Sequence, residues 1–313
     1  MPDRLLLDTS SLMYRAYFAL PATIRDDAGR PVNAVHGYLD MTTRLLSGEL
    51  PAAPGLLSPA AVFHVFDDAI VPVERARAYP AYKAQRRPDP EGLPEQFDLL
   101  EEVLTAAGLP RARAIGWEAD DAIGALCARF AEESGAAVDI VTGDRDLLQL
   151  VRDARGGAKP RSAVRVLFTL RGVSELACFD EAMVLDRYGV PPQRYTDFAT
   201  LRGDPSDGLP GVRGIGPKTA AQLVQAYPTL DALLEAAERA ELPPRPAGSL
   251  RAARDYIVAM RDVVPVRATV PVDLEPAARP DVTRLAALAA RRRLGGPIRR
   301  LAKALGVELP DAR

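Results

Sequence analysis

Short apolar runs that end in an acid alternate with stretches of helical periodicity along the first half of the chain. Residues 5–8 and 62–67 are apolar almost throughout and close on Asp8 and Asp67, so each predicts a buried strand whose carboxyl end presents an acid. The same reasoning predicts strands at 138–141 and 164–168, a helix capped by Ser10, and helices over 32–46 and 97–107. A further helix is predicted to carry Glu118, Asp120 and Asp121 in its first turn and to run to about Glu133. The alternation predicts an α/β fold with a mostly parallel sheet flanked by helices.

The second half of the chain is predicted to be helical. Helices are expected over 181–188 and 195–201, and a glycine-rich connector leads into a third that begins at Pro217 and runs to about Ala226. Gly214 and Gly216 would let backbone amides approach an anion at the start of this helix, with Lys218 beside it. We therefore expect an α/β domain over 1–177, a helical subdomain over 178–265, and a C-terminal helical segment over 266–313 that packs back on the core.

Carboxylates gather at places that this fold would bring together. Glu118, Asp120 and Asp121 fall in the first turn of a predicted helix, where the helix dipole favours each by only about 0.3–1 kcal/mol. By itself this motif fits a solvated acidic turn equally well. Four more acids follow predicted strands, however, at the sheet edge where ligands bind in such folds; they are Asp8, Asp67, Asp144 and Asp146. The whole set predicts a convergent carboxylate site, and hard oxygen ligands of this kind suit Mg²⁺.

Composition and charge exclude some classes of protein but do not identify the function. The chain has 313 residues, a net charge of −2 and 26% charged residues, which is ordinary for a globular protein and excludes a uniformly basic nucleic-acid wrapper. No apolar run reaches the length of a membrane span, the N-terminus lacks the features of a signal peptide, and the two cysteines are predicted to be buried thiols, which favours the cytoplasm. His64 lies inside a predicted strand and is expected to be a core histidine.

A basic, aromatic segment over residues 79–95 is punctuated by Pro88, Pro90, Gly92 and Pro94. We expect it to be mobile in the free protein. Its charges have no acid on their amino-terminal side within the segment, so they are expected to be free to take phosphate oxygens.

The order and spacing of the motifs closely resemble the 5′-nuclease family, which comprises the 5′→3′ exonuclease domain of bacterial DNA polymerase I, its stand-alone relatives and the flap endonucleases. The matching pieces span about residues 4–265. They are Leu7-Asp8, Phe66-Asp67, Tyr82-Lys83-x-x-Arg86, Glu118-Ala119-Asp120-Asp121, Thr142-Gly143-Asp144-Arg145-Asp146-Leu147, Gly203-Asp204-Pro205-Ser206-Asp207, and the run from Leu209 to Ala220. The family commonly has Asn where this chain has Gly208, a change that we expect to affect the loop and not the chemistry.

The resemblance implies a PIN-like nuclease fold with a helix–three-turn–helix DNA-binding subdomain, and two or three divalent cations, Mg²⁺ or Mn²⁺. It places Asp8, Asp67, Glu118 and Asp120 at the first cation group, and Asp121, Asp144, Asp146, Asp204 and Asp207 at the second. It assigns catalytic roles to Lys83 and Arg86 and DNA contacts to Arg15, Tyr82, Arg87, Arg213, Gly214, Gly216, Lys218 and Thr219, with K⁺ at the loop before Pro217. Core packing is an equal alternative for Tyr82.

The resemblance further implies a monomeric 5′→3′ exonuclease and flap endonuclease that acts in DNA replication and repair, in the cytoplasm at the nucleoid. Its substrates would be DNA flaps, nicks and 5′ ends, including RNA-primed strands. The residues leave three alternatives open. A nucleotide hydrolase is one, because 211–219 almost matches a phosphate-binding loop, although Pro217 interrupts it and no strand is predicted before it. A non-catalytic DNA-structure binder and a single-strand ribonuclease are the others, and magnesium-dependent cleavage of a flap separates all of these.

Overall fold

The structure is a computed structural model that describes residues 3–48, 61–133, 135–156 and 162–310. The proline-rich loop predicted around Pro51, Pro54 and Pro59 lies outside the described residues. No helix within the described ranges is long and apolar enough to cross a bilayer.

A sheet of seven described strands runs through the molecule in the order β6-β5-β4-β1-β2-β3-β7. The four central pairings are parallel, and only β6 and β7 pair antiparallel, at the two edges. The predicted mostly parallel sheet is confirmed. The strands are β1 (Arg4–Asp8), β2 (Val62–Phe66), β3 (Arg111–Arg113), β4 (Val138–Thr142), β5 (Val164–Arg171), β6 (Glu175–Phe179) and β7 (Asp273–Glu275).

Central strands of this sheet are buried on both faces, which is why they are apolar throughout instead of alternating. Leu5, Leu6 and Leu7 of β1 are all fully buried. The strands β3, β6 and β7 were not predicted, because none of them carries such a run; β3 is Arg-Ala-Arg. Strand β6 also crosses the boundary expected at 177/178, so the sheet continues two residues further. The division into domains stays a prediction.

The helices agree with the periodicity, with two corrections. Asp8, not Ser10, caps the first helix by accepting from the Ser11 amide, and the fourth helix begins at Leu93 instead of 97. The helices are α1 (Thr9–Ala19), α2 (Asn33–Leu46), α3 (Val73–Ala78), α4 (Leu93–Ala106), α5 (Ala119–Glu133), α6 (Glu181–Tyr188), α7 (Tyr195–Arg202), α8 (Pro217–Ala226), α9 (Leu230–Glu238), α10 (Pro244–Ala252), α11 (Arg254–Val263), α12 (Val282–Arg291) and α13 (Gly295–Ala304).

Two hydrophobic cores lie against the sheet. One contains the apolar side of α5 and the helices α6 to α11. The other contains α1, α2 and α4 together with α12 and α13, whose Leu285, Ile298 and Leu301 are fully buried. Helix α13 contacts α2, and helix α12 contacts α4.

Candidate metal centre and nucleic-acid interface

Five of the predicted metal ligands line one cleft of about 980 Å³ at the carboxyl ends of the strands. Asp8 ends β1, Asp67 follows β2 and Asp144 follows β4, while Glu118 and Asp120 flank the start of α5. They meet because β1, β2 and β4 are parallel neighbours, so their carboxyl ends share one edge of the sheet.

Hydrogen bonds from neighbouring elements fix the first two of these carboxylates. Asp8 accepts from the Ser11 amide at 3.1 Å and from the Thr142 hydroxyl at 2.6 Å. Asp67 accepts from the Ala119 amide at 2.7 Å and from the Ser10 hydroxyl. The start of α1 and the start of α5 therefore both contribute to the arrangement.

Several carboxylates of the cleft are buried close together, so their negative charges repel one another and their pKa values rise. Burial, with repulsion from Asp67 and Asp144 added to it, raises the pKa of Asp8 to about 7, although hydrogen bonds from Thr142 and Ser11 oppose the rise. Burial also raises the pKa of Asp120 well above its ordinary value, with repulsion from Asp144 as the next contribution. The pKa of Asp144 itself is raised, again chiefly by burial. Cations placed among these groups would relieve the repulsion, so the donor set fits divalent metal ions.

A second set of acids adjoins the first through Asp144. The Asp146 amide donates to Asp144 at 2.8 Å, and burial followed by repulsion from Asp144, Asp207 and Asp204 raises the pKa of Asp146 well above its ordinary value. Asp204 caps the short 3-10 turn Pro205–Asp207 by accepting from the Ser206 amide at 2.9 Å. The structure thus brings Asp146 close to Asp204 and Asp207, which the resemblance had assigned to the same cation group; their role as metal ligands stays a prediction.

The expectation that the basic segment carries free charges is wrong. Lys83 makes an ion pair with Glu118, and Arg86 donates to Asp207 at 2.7 Å. Lys83 is only 9% exposed. The acids were not recognised as partners because they are distant in sequence and reach the segment only when α5 and the loop after α7 fold against it.

Tyr82 lies in the core and not on a surface that a base could reach. Its ring is buried, and its hydroxyl donates to Glu118 at 3.0 Å. The base-stacking role is therefore contradicted, and the packing alternative is correct. Arg87 is exposed and lines the cleft with Pro88, which leaves it open to a ligand.

Asp121 is not brought into the cleft. It is fully buried and accepts from both terminal nitrogens of Arg75, at 2.8 and 2.7 Å, and from the Arg267 amide at 2.8 Å. With its oxygens engaged in this way, it is an anchor for Arg75, and its assignment as a metal ligand is corrected. Arg75 also donates to Glu118 and to the Val263 carbonyl. Sequence reasoning missed Arg75, since nothing in the local pattern separates it from the exposed Arg77.

These ion pairs and hydrogen bonds occupy oxygens that a metal would use. Within residues 3–48, 61–133, 135–156 and 162–310, no group of three or more His, Cys, Asp or Glu side chains is arranged to hold a metal ion as it stands. Lys83, Arg86 and Arg75 instead neutralise Glu118 and Asp207. The chemistry of the donor set fits hard divalent cations, and small side-chain movements would be needed to bind them.

The predicted phosphate contacts lie at the start of α8. Arg213, Gly214, Gly216 and Lys218 are exposed there, Thr219 is half-buried, and Ile215 is buried beneath them. Gly214 has φ of 80° and open space around its Cα, so the backbone at this turn is accessible. Amides at a helix N-terminus bind anions, and Lys218 adds a positive charge.

The element that precedes this loop is helical. Helix α7 and the 3-10 turn precede the loop, whereas a nucleotide-hydrolase phosphate loop follows a strand, so that alternative loses its structural basis.

Arg15 is half-buried and donates to the Leu170 carbonyl at 3.2 Å, beside Gly143 of the cleft.

A parallel sheet with carboxylates at its strand ends, adjoining a helix start suited to phosphate, defines the class of metal-dependent nucleases. The family models agree with that class. A 5′-3′ exonuclease N-terminal, resolvase-like domain matches residues 3–189, and a 5′-3′ exonuclease C-terminal SAM fold matches residues 190–283. The chain belongs to the 5′-3′ exonuclease family.

Relatives in bacteria cover almost the whole chain. It is 42% identical to a 5′-3′ exonuclease of Streptomyces coelicolor, over 95% of this chain and 98% of the relative. It is 38% identical to a 5′-3′ exonuclease of Mycobacterium tuberculosis, over 96% of each. It is also 39% identical to DNA polymerase I of Mycobacterium tuberculosis, over 91% of this chain but only 29% of the polymerase.

Solved structures share the fold at low sequence identity. The T5 5′-exonuclease with bound zinc ions matches with a TM-score of 0.60 and 16% identity, over 97% of this chain and 98% of that one. The catalytic core of Rad2 in complex with DNA substrate matches with a TM-score of 0.59 and 17% identity, over 96% of this chain and 91% of that one.

Proposed function

We propose that this protein is a structure-specific DNA 5′-nuclease, a 5′→3′ exonuclease and 5′-flap endonuclease of replication and repair. The observation that carries the proposal is the continuous set of eight carboxylates at one end of the sheet. The set comprises Asp8, Asp67, Glu118, Asp120, Asp144, Asp146, Asp204 and Asp207. A protein that only binds DNA structures would have no need of these carboxylates, because their negative charge repels the phosphate backbone.

The eight carboxylates fall into two neighbouring groups that would each hold a divalent cation, Mg²⁺ or Mn²⁺. Asp8, Asp67, Glu118 and Asp120 form the first group, and Asp144, Asp146, Asp204 and Asp207 form the second. Bound cations would supply an activated water and stabilise charge on the leaving oxygen. Lys83 pairs with Glu118 and Arg86 pairs with Asp207, one acid from each group, which supports a role for both cationic side chains in stabilising the charge that a scissile phosphate would gain.

The loop before α8 would hold the duplex. Exposed Arg213 and Lys218 flank accessible backbone at Gly214 and Gly216, which suits a phosphate of the uncleaved strand, with K⁺ at the loop carbonyls. The substrates proposed are DNA with 5′ flaps, nicks or 5′ ends. The bacterial DNA-processing relatives support action on DNA in the cytoplasm, where the protein would work as a monomer at the nucleoid.

The deciding experiment is digestion of a 5′-labelled flap, a nicked duplex and a single strand, each with and without Mg²⁺ or Mn²⁺. The proposal is supported if cleavage requires both the metal ion and the flap or nick in the DNA. Metal-independent cleavage, or binding with no cleavage of any of the three, contradicts it.

Removing one acid tests the metal centre directly. Asp120→Ala and Asp144→Ala should each abolish flap cleavage while DNA affinity is kept or rises, because repulsion of phosphate falls. Asp186→Ala, at an exposed position on α6, is the matched control and should cleave normally. Full activity of both cleft variants in single-turnover assays would remove the two-metal assignment.

A further inference from the structure

Asp121 and Arg75 form a buried ion pair next to the cleft acid Glu118. Arg75 donates from both terminal nitrogens to Asp121, at 2.8 and 2.7 Å, and from one of these nitrogens to Glu118 as well. All three side chains are buried, and Asp121 is held in addition by the Arg267 amide at 2.8 Å. One oxygen of Glu118 is therefore held by the same guanidinium that Asp121 holds.

The orientation of Arg75 is fixed from several sides. Its Nε donates to the Val263 carbonyl at 2.9 Å, and a terminal nitrogen donates to the Pro265 carbonyl at 3.2 Å. Together with one oxygen of Glu118 and both of Asp121, these carbonyls supply as many acceptors as a guanidinium has N–H donors. Because the guanidinium is fully bonded, it cannot follow a movement of Glu118, and it sets where that carboxylate lies.

The pair also sets the charge that Glu118 offers to a cation. An arginine stays protonated, and one guanidinium between two carboxylates can neutralise only one of them. The two-pronged contact directs that neutralisation to Asp121, which lies outside the cleft. Glu118 keeps its negative charge for the cleft, where its other oxygen pairs with the Lys83 ammonium.

We propose that Asp121 and Arg75 are positioning residues for the metal centre: Asp121 holds and neutralises Arg75, which in turn holds Glu118 in the orientation that ligates a cation. This inference rests on the proposed function, in which Glu118 is a metal ligand. It gives a role to the acid of this motif whose side chain does not reach the cleft. Partners that orient metal ligands in this way typically contribute about 10- to 100-fold to metal affinity.

Asp121→Asn tests the proposal, because the amide has almost the shape of the carboxylate but is neutral and adds a donor beside Arg75. Arg75 should then bind Glu118 more strongly, and the affinity of the DNA-free protein for Mn²⁺ should fall by about 10- to 100-fold. Electron paramagnetic resonance of the unbound ion measures this affinity. The Mn²⁺ concentration for half-maximal flap cleavage should rise in parallel, while saturating Mn²⁺ restores most of the rate, because every ligand is still present.

Asp139→Asn is the matched control. Asp139 is also a buried aspartate that accepts from two nitrogens of one arginine, Arg165, at 2.9 and 2.7 Å, but it lies within β4 and does not line the cleft. Its replacement should change Mn²⁺ affinity by less than about 2-fold, as expected for an independent site. The comparison separates positioning of Glu118 from the general effect of breaking a buried ion pair.

Two further variants complete the test. Arg75→Lys keeps the charge but loses the planar fork and two of its donors, so it should weaken Mn²⁺ binding in the same sense. It decides the matter if Asp121→Asn fails to fold by circular dichroism. In a Glu118→Gln background, Asp121→Asn should change Mn²⁺ affinity by less than about 2-fold, because the carboxylate through which it acts is gone.

Three outcomes overturn the positioning role: unchanged Mn²⁺ affinity in the folded variants, an equal loss of affinity in Asp139→Asn, or a full loss that persists in the Glu118→Gln background. A wild-type protein that binds Mn²⁺ but cleaves no DNA substrate would instead refute the proposed function, so the two failures are distinguishable.

Discussion

At the scale of single residues, Lys83 and Arg86 matter because each bridges the basic segment to one group of acids. Lys83→Ala and Arg86→Ala should each lower the cleavage rate by about 10²–10³, the usual loss for one donor to a charged transition state. Flap affinity should change much less. Lys83→Arg should recover only part of the rate, because a planar guanidinium replaces a compact ammonium inside a buried ion pair with Glu118.

Single-turnover cleavage measured beside equilibrium binding distinguishes this role from docking. If both alanine variants lose rate and affinity in equal proportion, the segment is a docking surface for DNA and nothing more.

His64 is a residue whose environment makes stability depend on pH. It is fully buried, its Nδ1 lies 2.7 Å from the Tyr38 hydroxyl, and burial lowers its pKa to about 3. This confirms the core histidine. The unfolded chain takes up a proton below pH 6.5 that the folded protein refuses, so stability falls as pH drops from 6.5 towards 3.

Between pH 7 and pH 5 this histidine should remove about 2 kcal/mol of the free energy of unfolding. His64→Gln should flatten the pH dependence by that amount, as measured by urea unfolding at several pH values. Other titrating groups cancel in the comparison. Equal slopes for wild type and His64→Gln would contradict the assignment.

At the scale of elements, the start of α8 combines three features that favour phosphate. Gly216 occupies the N-cap without a side-chain hydrogen bond, Pro217 begins the helix, and Lys218 is exposed beside it. Because such contacts go to the backbone of DNA, they carry no sequence preference.

Lys218→Ala should therefore weaken duplex binding similarly for all sequences and lower the slope of log K against log salt by about one. Titrations of two unrelated duplexes at several salt concentrations measure both effects. Lys303→Ala, at another exposed helical lysine, should change neither. A loss confined to one sequence would indicate a base contact instead.

At the scale of the whole molecule, Arg75 joins three parts of the fold. Its own helix, α3, belongs to the connection after β2, Glu118 and Asp121 belong to the start of α5, and the Val263 carbonyl, 2.9 Å from its Nε, ends α11. The side chain is only 3% exposed, so its charge is neutralised almost entirely by these groups.

Arg75→Ala would leave two buried carboxylates short of their partner, and breaking a buried pair in this way typically costs about 3–5 kcal/mol. Urea unfolding should show that loss. Arg77→Ala, two residues along the same helix and exposed, should stay within about 0.5 kcal/mol of the wild type. A loss below 1 kcal/mol for Arg75→Ala would mean that the ion pairs contribute little to holding the parts together.

The sequence by itself determined the four strands β1, β2, β4 and β5 and the acids that follow them, because these depend on local signals. The short apolar run of residues 5–7, within alternating strand and helix signals, favours a central strand of a parallel sheet, and the acid that ends such a strand lies at the ligand-binding edge. Only the tertiary structure decided how the charges pair. Asp120 and Asp121 are neighbours on one helix, yet Asp120 lines the cleft while Asp121 is buried on Arg75. Lys83 likewise meets Glu118 across 35 residues of chain. Such pairings are long-range, and no local pattern of charge encodes which distant partner a side chain will reach once the elements have packed.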